Sequence, residues 1–530
     1  MAHRPVVLIA EELSPATVEA LGAGVDVRHV DGSDRAALLP SLADADAVLV
    51  RSATLMDREA IAAGPRLRVI ARAGVGLDNV DIPAATEAGV LVANAPTSNV
   101  TSAAELTVGL LLAVARNIPQ ADAALKSGSW QRGRWSGVEL SGKVLGVVGL
   151  GRIGGLVAGR MAAFGMDVVA FDPYVTAAHA AAVGVRLLPL DELLARCDFL
   201  TVHLPRTPET TGLIGFDAFR RMKPTVRVVN AARGGIVDEN ELYAALKEGR
   251  VAGAALDVYA SEPCTDSPLF ALDNVVVTPH LGAATDEAQE KAGVAAARSV
   301  RLALAGVHVP DAVNVQGGPV AEALRPWLPL TERLGQVFAR AAGGIPAELE
   351  VRLRGEIAEL PAGVLELAAL KGVLERAGTL AVSHVNAPLV ARERGLTSRL
   401  VCPQEGASQR SAVTLSGVLP DGRVVTVTGT LAGVRLREKL VEAFGHELEL
   451  PLPGDLSFLR YPDHPGAVGL IGDEFAAEGV NIAAMQVSRD GSGSTALAGF
   501  CVDAPVPATA LDRAAAAVGA DLAWSVPATG

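Results

Sequence analysis

The chain has 530 residues, half of them apolar, with 55 glycines and a formal net charge of −13. At about 150 residues per domain this length predicts three or four domains, and the acidic balance excludes the usual electrostatics of a nucleic-acid or acidic-membrane partner. Four scattered cysteines (Cys197, Cys264, Cys402, Cys501) form no C-x-x-C and no metal spacing, so the expectation is a reduced, cytoplasmic chain without a metal site. The N-terminus has no signal-peptide pattern, and the longest mainly apolar run, Leu106 to Ala115, is too short to span a bilayer.

In chain order, Pro5 to Ala10 suits a strand and Leu13 to Leu21 a helix. Ala47 to Val50 and Leu67 to Ala71 are further apolar runs, ending in Arg51-Ser52 and in Arg72-Ala73-Gly74-Val75-Gly76. Strands that end in charged or glycine-rich turns predict an open α/β sheet with ligand contacts at the carboxyl ends. Position alone leaves Arg51 open between a solvated arginine and a ligand contact. From Asn94 a Pro96-centred loop leads into a long apolar helix, with Thr101 or Ser102 as the expected cap and Glu105 as its capping partner. Trp130 to Trp135 interleaves Arg132 and Arg134 with aromatics. It reads as an exposed loop or as an arm that carries a cation to an anion in a neighbouring subunit.

The segment Val144 to Asp172 organises the chain. A short β-branched strand, Val144 to Val148, is followed by Gly149-Leu150-Gly151-Arg152-Ile153-Gly154. Apolar residues then recur at helical spacing (Ile153, Val157, Met161, Phe164), and a second strand ends at Asp172. The first glycine permits the tight turn, the second lets a pyrophosphate approach, and the third lets helix and strand pack. The helix N-terminus favours an anion. Asp172 is placed for the adenosine ribose hydroxyls, and its charge would repel a 2′-phosphate, so the pattern predicts NAD rather than NADP.

After Asp172 the αβ rhythm continues, and successive strands end in His203, Arg233, Asp257 and His280. In a doubly wound sheet these ends share one crevice beside the cofactor. A guanidinium fork such as Arg233 suits a carboxylate. His280 supplies an imidazole, the side-chain type suited to acid–base work on an alcohol proton. Glu262 is a candidate partner for it, and His203 reads as structural.

The strings GLGRIG…FDP, VHLPRTPET, VNAARGGIVDE, ALDVY…EP and TPHLGAAT resemble the D-2-hydroxyacid dehydrogenase family. RSAT, ARAGVGLDNVD and Asn94 to Glu105 resemble its branch that oxidises 3-phosphoglycerate. These motifs cover about the first 315 residues. The resemblance implies two Rossmann-like doubly wound α/β domains: a discontinuous substrate domain (1–96 and 285–316) and an NAD-binding domain (97–284). It implies a returning helix at Asp286 to Leu304 and a strand around Val309 to Val315. Arg233, Glu262 and His280 would be catalytic. Val75, Gly149, Gly151, Arg152, Ile153, Gly154, Asp172, His203, Ala231, Ala232, Arg233, Asp257, His280, Gly282 and Ala283 would surround NAD. Arg51, Ser52, Gly74, Val75, Asn99 and a partner's Arg132 would meet 3-phosphoglycerate, giving 3-phosphohydroxypyruvate at the start of serine synthesis. A dehydrogenase for glyoxylate or hydroxypyruvate and an NAD-sensing corepressor-like protein are the alternatives.

Beyond Gly317-Gly318-Pro319 come an apolar helix (Trp327 to Ala341), an alternating strand (Leu349 to Leu353), and a hairpin turning at Pro420-Asp421-Gly422. Val385-Asn386-Ala387-Pro388 and Val425 to Leu431 resemble the α+β intervening domain (317–454) of the extended bacterial form, where Lys439 would face an anion. The segment 455–530 resembles a ferredoxin-like βαββαβ ACT domain. There Tyr461, Asp463 and Asn481 match positions for L-serine feedback across a dimer, which implies a homodimer or homotetramer.

Overall fold

The computed structural model describes residues 4–315, 320–375, 382–403, 411–419, 422–490 and 493–528. The Gly317-Gly318-Pro319 boundary and Pro420-Asp421 of the hairpin turn lie outside the described residues.

The first sheet holds β1 (Val6–Ile9), β2 (Asp26–His29), β3 (Ala47–Val50), β4 (Val69–Arg72) and β5 (Leu91–Ala93), all parallel, in the order β2-β1-β3-β4-β5. β1 and β3 are buried throughout, as strands covered on both faces must be. The sequence reading found three of the five. β2 is a polar edge strand without an apolar run, and β5 is only three residues long, so its short apolar run was not singled out.

The second sheet holds β6 (Val144–Val148), β7 (Asp167–Phe171), β8 (Arg186–Leu187), β9 (Phe199–Val202), β10 (Arg227–Asn230), β11 (Gly253–Leu256) and β12 (Val275–Val277). Its order, β12-β11-β10-β9-β6-β7-β8, is parallel throughout. The chain runs outward from β6 to β8, then crosses to β9. The reversal opens a crevice at the carboxyl ends beside β6.

The Val100–Arg116 helix enters this sheet, and its cap differs from the sequence expectation. Asn99 is the N-cap and makes no side-chain cap bond. Ser102 instead bonds Thr285 across the return of the chain (2.8 Å), and Glu105 pairs with Arg160 (3.6 Å). The Asp286–Leu304 helix then packs back on the first sheet, burying Ala292, Ala296, Ala297 and Val300 against Val7, Leu49, Val69 and Ala71. The expected strand around Val309 to Val315 is absent. A single bridge, Ala93 to Ala312, stands in its place. Asn314 fastens the segment, accepting from the Val92 amide and donating to the Val90 carbonyl (both 2.9 Å).

The third sheet is mixed: β13 (Glu348–Arg354), β14 (Thr397–Val401), β15 (Ala412–Val418), β16 (Val424–Ala432), β17 (Arg437–Ala443) and β18 (His446–Pro451), ordered β14-β13-β15-β16-β17-β18. Its helices Trp327–Ala342 and Gly363–Leu374 cross closely: a Cβ on Gly372 would fall 2.0 Å from the Glu332 carbonyl. The fourth is antiparallel: β19 (Asp455–Pro462), β20 (Ile482–Arg489), β21 (Thr495–Val502) and β22 (Leu522–Val526), ordered β20-β21-β19-β22. Helices Ala467–Ala477 and Ala508–Val518 complete a βαββαβ unit. Buried Arg333 clamps these two sheets together, donating to the carbonyls of Leu452 (3.3 Å), Gly454 (2.6 Å) and Pro527 (2.7 Å).

Candidate active site

The glycine turn after β6 has the geometry its sequence demands. Gly149 has φ +97°, open to glycine alone, and a Cβ there would strike the His203 carbonyl at 2.5 Å. A Cβ on Gly154 would lie 2.1 Å from the Gly149 carbonyl, so the third glycine allows the helix to sit on the turn. Gly151 faces open space and caps the Arg152–Ala163 helix without a side chain. The helix N-terminus, with Arg152 and Ile153 in its first turn, is therefore free for an anion. Asp172 accepts from the Leu150 and Tyr174 amides (both 2.9 Å). A carboxylate offers about four acceptor sites, so two remain for ribose hydroxyls. These residues fit NAD.

The other strand ends follow in spatial order from β9 to β12. His203 bonds Thr201 through Nε2 (3.0 Å), and burial pushes its pKa down to about 4, so the ring is neutral. Buried Asn230 shapes the next loop: it accepts from the Ala232 amide (3.1 Å) and donates to the Arg233 carbonyl (2.9 Å). Ala231, Ala232 and Arg233 are thus fixed from below.

Asp257 is fully buried and holds the loop after β12. It accepts from the Thr278 hydroxyl (2.6 Å), the Leu281 amide (2.7 Å) and the Gly282 amide (2.9 Å). Between these anchors His280 is held at φ +56°, a left-handed backbone unusual for a side-chain-bearing residue. The strained turn aims the ring at Glu262, whose Oε2 lies 2.6 Å from Nδ1. Glu262 Oε1 in turn accepts from the Tyr259 amide (2.9 Å). This carboxylate–imidazole pair leaves Nε2 for a ligand. Asp257, expected near the cofactor, is first a scaffold for His280, Gly282 and Ala283.

The first sheet supplies the facing wall. A Cβ on Gly76 would lie 2.9 Å from the Arg233 guanidinium, so Arg233 reaches across the crevice to the Gly74–Gly76 turn. The Gly74 amide does not face a ligand as expected. It bonds the Arg72 carbonyl (2.9 Å), leaving Val75 as that turn's candidate donor. The loop at Arg51 and Ser52 wraps Glu11, which accepts from the amides of Arg51 (2.8 Å), Ala53 (3.3 Å) and Thr54 (3.0 Å). Asn99 keeps its buried Oδ1 without a partner, as a ligand-facing side chain would.

Arg72 was not singled out as a site residue by sequence reading, although it ends β4 as Arg51 follows β3. Its Nε donates to the Arg51 carbonyl (3.1 Å) and its guanidinium bonds the Gly76 carbonyl. Burial, with Arg233 and Arg51 nearby and only partly offset by Asp78, pushes its pKa below the ordinary arginine value. Three cations therefore converge on one crevice.

The remaining candidates are not gathered there. Trp130 and Arg132 are exposed, while Arg134 pairs with Asp273 and lies over Trp135 (4.9 Å). Lys439 pairs with Glu449 (2.8 Å), and Asp463 with Arg489 (2.7 Å). Tyr461 is buried, and the Asn481 amide donates to Asp503 (3.0 Å). No His, Cys, Asp or Glu group suited to a metal ion occurs among the described residues, and no helix is long and apolar enough to cross a membrane.

Residues 108–282 match the family model for the D-isomer specific 2-hydroxyacid dehydrogenase, NAD binding domain, and residues 323–442 match the D-3-phosphoglycerate dehydrogenase intervening domain. The chain is 54% identical to a D-3-phosphoglycerate dehydrogenase of Mycobacterium tuberculosis, over 97% of this chain and 98% of that one. It is 39% identical to the Rattus norvegicus protein of the same name, over 92% and 93%. Among solved structures it is similar to D-lactate dehydrogenase from Aquifex aeolicus complexed with NAD and lactic acid (28% identity, TM-score 0.51, 57% of this chain and 96% of that one).

Proposed function

The chain belongs to the D-3-phosphoglycerate dehydrogenase family, and from that premise we propose how its residues oxidise 3-phospho-D-glycerate to 3-phosphohydroxypyruvate with NAD. The observation that carries the reading is the Glu262–His280 pair, 2.6 Å apart, on a strained turn at the strand ends of the sheet that also bears Arg233. Arg233 and the Val75 amide hold the substrate carboxylate. Arg51, Ser52 and Asn99 meet the phosphate, and Arg72 adds charge behind them. Because Glu11 occupies the amides of Arg51, Ala53 and Thr54, phosphate recognition there falls to the Ser52 amide and to side chains.

NAD, held by the Gly149–Gly154 turn and Asp172, supplies the hydride acceptor. His280 Nε2 takes the proton of the C2 hydroxyl, and Glu262 stabilises the imidazolium that forms. Arg233 fixes C2 by gripping the adjacent carboxylate, and its planar fork sets the orientation. The Asp172 carboxylate disfavours a 2′-phosphate.

We read residues 1–96 with 285–316 as the substrate domain and 97–284 as the NAD domain. In the same reading 317–454 is an intervening domain and 455–530 an ACT domain. Asp463 and Asn481 form the serine-sensing surface, completed by a second copy, with Tyr461 buried in the core beneath them. The exposed Trp130 arm, beside exposed Ile118 and Leu125, is a face for that copy.

The test is NADH formation from NAD and 3-phosphoglycerate, with the keto product trapped. It compares wild type with His280→Ala, with and without L-serine. Turnover that requires His280 supports the catalytic reading, and suppression by serine supports the sensing reading. Turnover only on glyoxylate or hydroxypyruvate would refute the substrate.

A further inference from the structure

Glu239 opens the Glu239–Lys247 helix, where a carboxylate ordinarily points to solvent and offsets the helix dipole. Here it turns inward. Its Oε1 accepts from the Ala260 amide (2.5 Å). The neighbouring amide, Tyr259, donates to Glu262 (2.9 Å). Two consecutive amides of one loop are therefore shared between two carboxylates, one of them the partner of His280. The loops also touch backbone to backbone: a Cβ on Gly234 would fall 1.8 Å from the Tyr259 carbonyl.

We infer that Glu239 is a positioning residue that ties the loop bearing Arg233 to the loop bearing Glu262, and so sets the carboxylate grip against the proton acceptor. The inference rests on the catalytic reading above. Without Glu239, the Ala260 amide loses its acceptor, and the Gly234–Tyr259 contact loses the bond that holds it. Its charge also matters. Burial first, then Asp238 and Glu262, push its pKa above the ordinary glutamate value, while the Ala260 amide opposes this. A second negative charge behind Glu262 favours the imidazolium on His280, which moves the acid limb of alcohol oxidation upward in pH.

Two variants separate these contributions. Glu239→Gln keeps an acceptor for the Ala260 amide and removes the charge, whereas Glu239→Ala removes both. The full chain is assayed for kcat/KM against pH with 3-phosphoglycerate, and NADH binding is followed by fluorescence. Glu239→Ala should lose about tenfold or more in kcat, because misplaced reacting groups cost rate steeply, with NADH affinity unchanged. Glu239→Gln should recover most of that rate, with its acid limb shifted down by about half a pH unit. A limb and plateau equal to wild type in Glu239→Gln, with kcat of Glu239→Ala within twofold, would overturn the inference. If Glu239→Ala does not fold, the limb of Glu239→Gln alone decides: displaced in favour, unmoved against. Wild-type turnover that survives His280→Ala would instead remove the catalytic reading, and the inference with it.

Discussion

The crevice between the first two sheets and the surface of the last two use acidic residues in different ways. In the crevice, carboxylates bind backbone amides: Glu11 holds those of 51, 53 and 54, Asp172 those of 150 and 174, Asp257 those of 281 and 282, and Glu262 that of 259. On the last two sheets some carboxylates also take amides, as Asp503 does that of 481, but those around the candidate effector groups bind side-chain cations, as in Lys439–Glu449, Asp463–Arg489 and Arg460–Asp521. The consequence is a difference in what is left over. Among the described residues Arg51, Arg72 and Arg233 form no ion pair, so the crevice presents positive charge on rigid loops. In the C-terminal region the candidate effector groups Asp463 and Lys439 already have partners, and any ligand there must displace one.

This contrast can be broken first at its strongest point. His280→Ala should lower kcat by about a thousandfold, within the usual range for a lost acid–base group, while NADH binding, read by fluorescence, stays intact. Retention of more than a tenth of the rate would show that the strained turn does not serve proton transfer.

A stability comparison comes next, since each region holds one neutral, part-buried histidine. Burial pushes both His203 and His384 down to about 4, with Lys371 and His308 adding to the effect at His384. A depressed histidine pKa means that the unfolded chain binds a proton before the folded one does. Stability is then full above pH 6.5 and falls as pH drops toward 4, by at most about 3 kcal/mol per site. Thermal melts from pH 8 to 4.5 should show this fall, and His384→Asn should flatten part of it. An unchanged slope would assign the acid sensitivity elsewhere.

Smaller effects sharpen the comparison. Arg233→Lys keeps the charge and loses the fork, so KM for 3-phosphoglycerate should rise by about tenfold or more with KM for NAD little changed. A proportionate rise in both would place Arg233 in cofactor binding alone. The smallest effect belongs to the C-terminal region. Arg489→Ala frees Asp463 from an exposed ion pair worth about 1 kcal/mol or less, so L-serine should bind up to about fivefold tighter by calorimetry. Weaker binding would make Arg489 part of the ligand site instead of a competitor for it.

Much of the crevice is legible in the chain because its logic is local. A β-branched strand, a glycine turn and a terminal acid announce themselves within Val144 to Asp172, and the strand ends at Arg233 and His280 follow from apolar runs that stop at polar residues. The Asp286–Leu304 helix and the βαββαβ order of the last unit were expected from the family resemblance, and both are present. Arg72 was seen at the end of its apolar run, but its bonds to the Arg51 and Gly76 carbonyls, which bring it to the crevice, depend on how the loops fold. Glu11 and Glu239 escaped notice because their partners lie 40 and 21 residues away, and no local pattern reports such bonds. The expected cap at Thr101 or Ser102 failed for a related reason: Ser102 is drawn to Thr285, a contact made only when the chain returns.

The sequence by itself therefore determined most of the elements, the glycine turn, the acid after β7 and the polar residues at the strand ends. These depend on residue type and short spacing. Tertiary structure alone decided which loop amides are spent on carboxylates, which arginines stay unpaired, and that His280 sits in a left-handed turn between the anchors of Asp257. Those outcomes depend on which strands become neighbours, and in a doubly wound sheet the strands lining one crevice come from residues far apart in the chain.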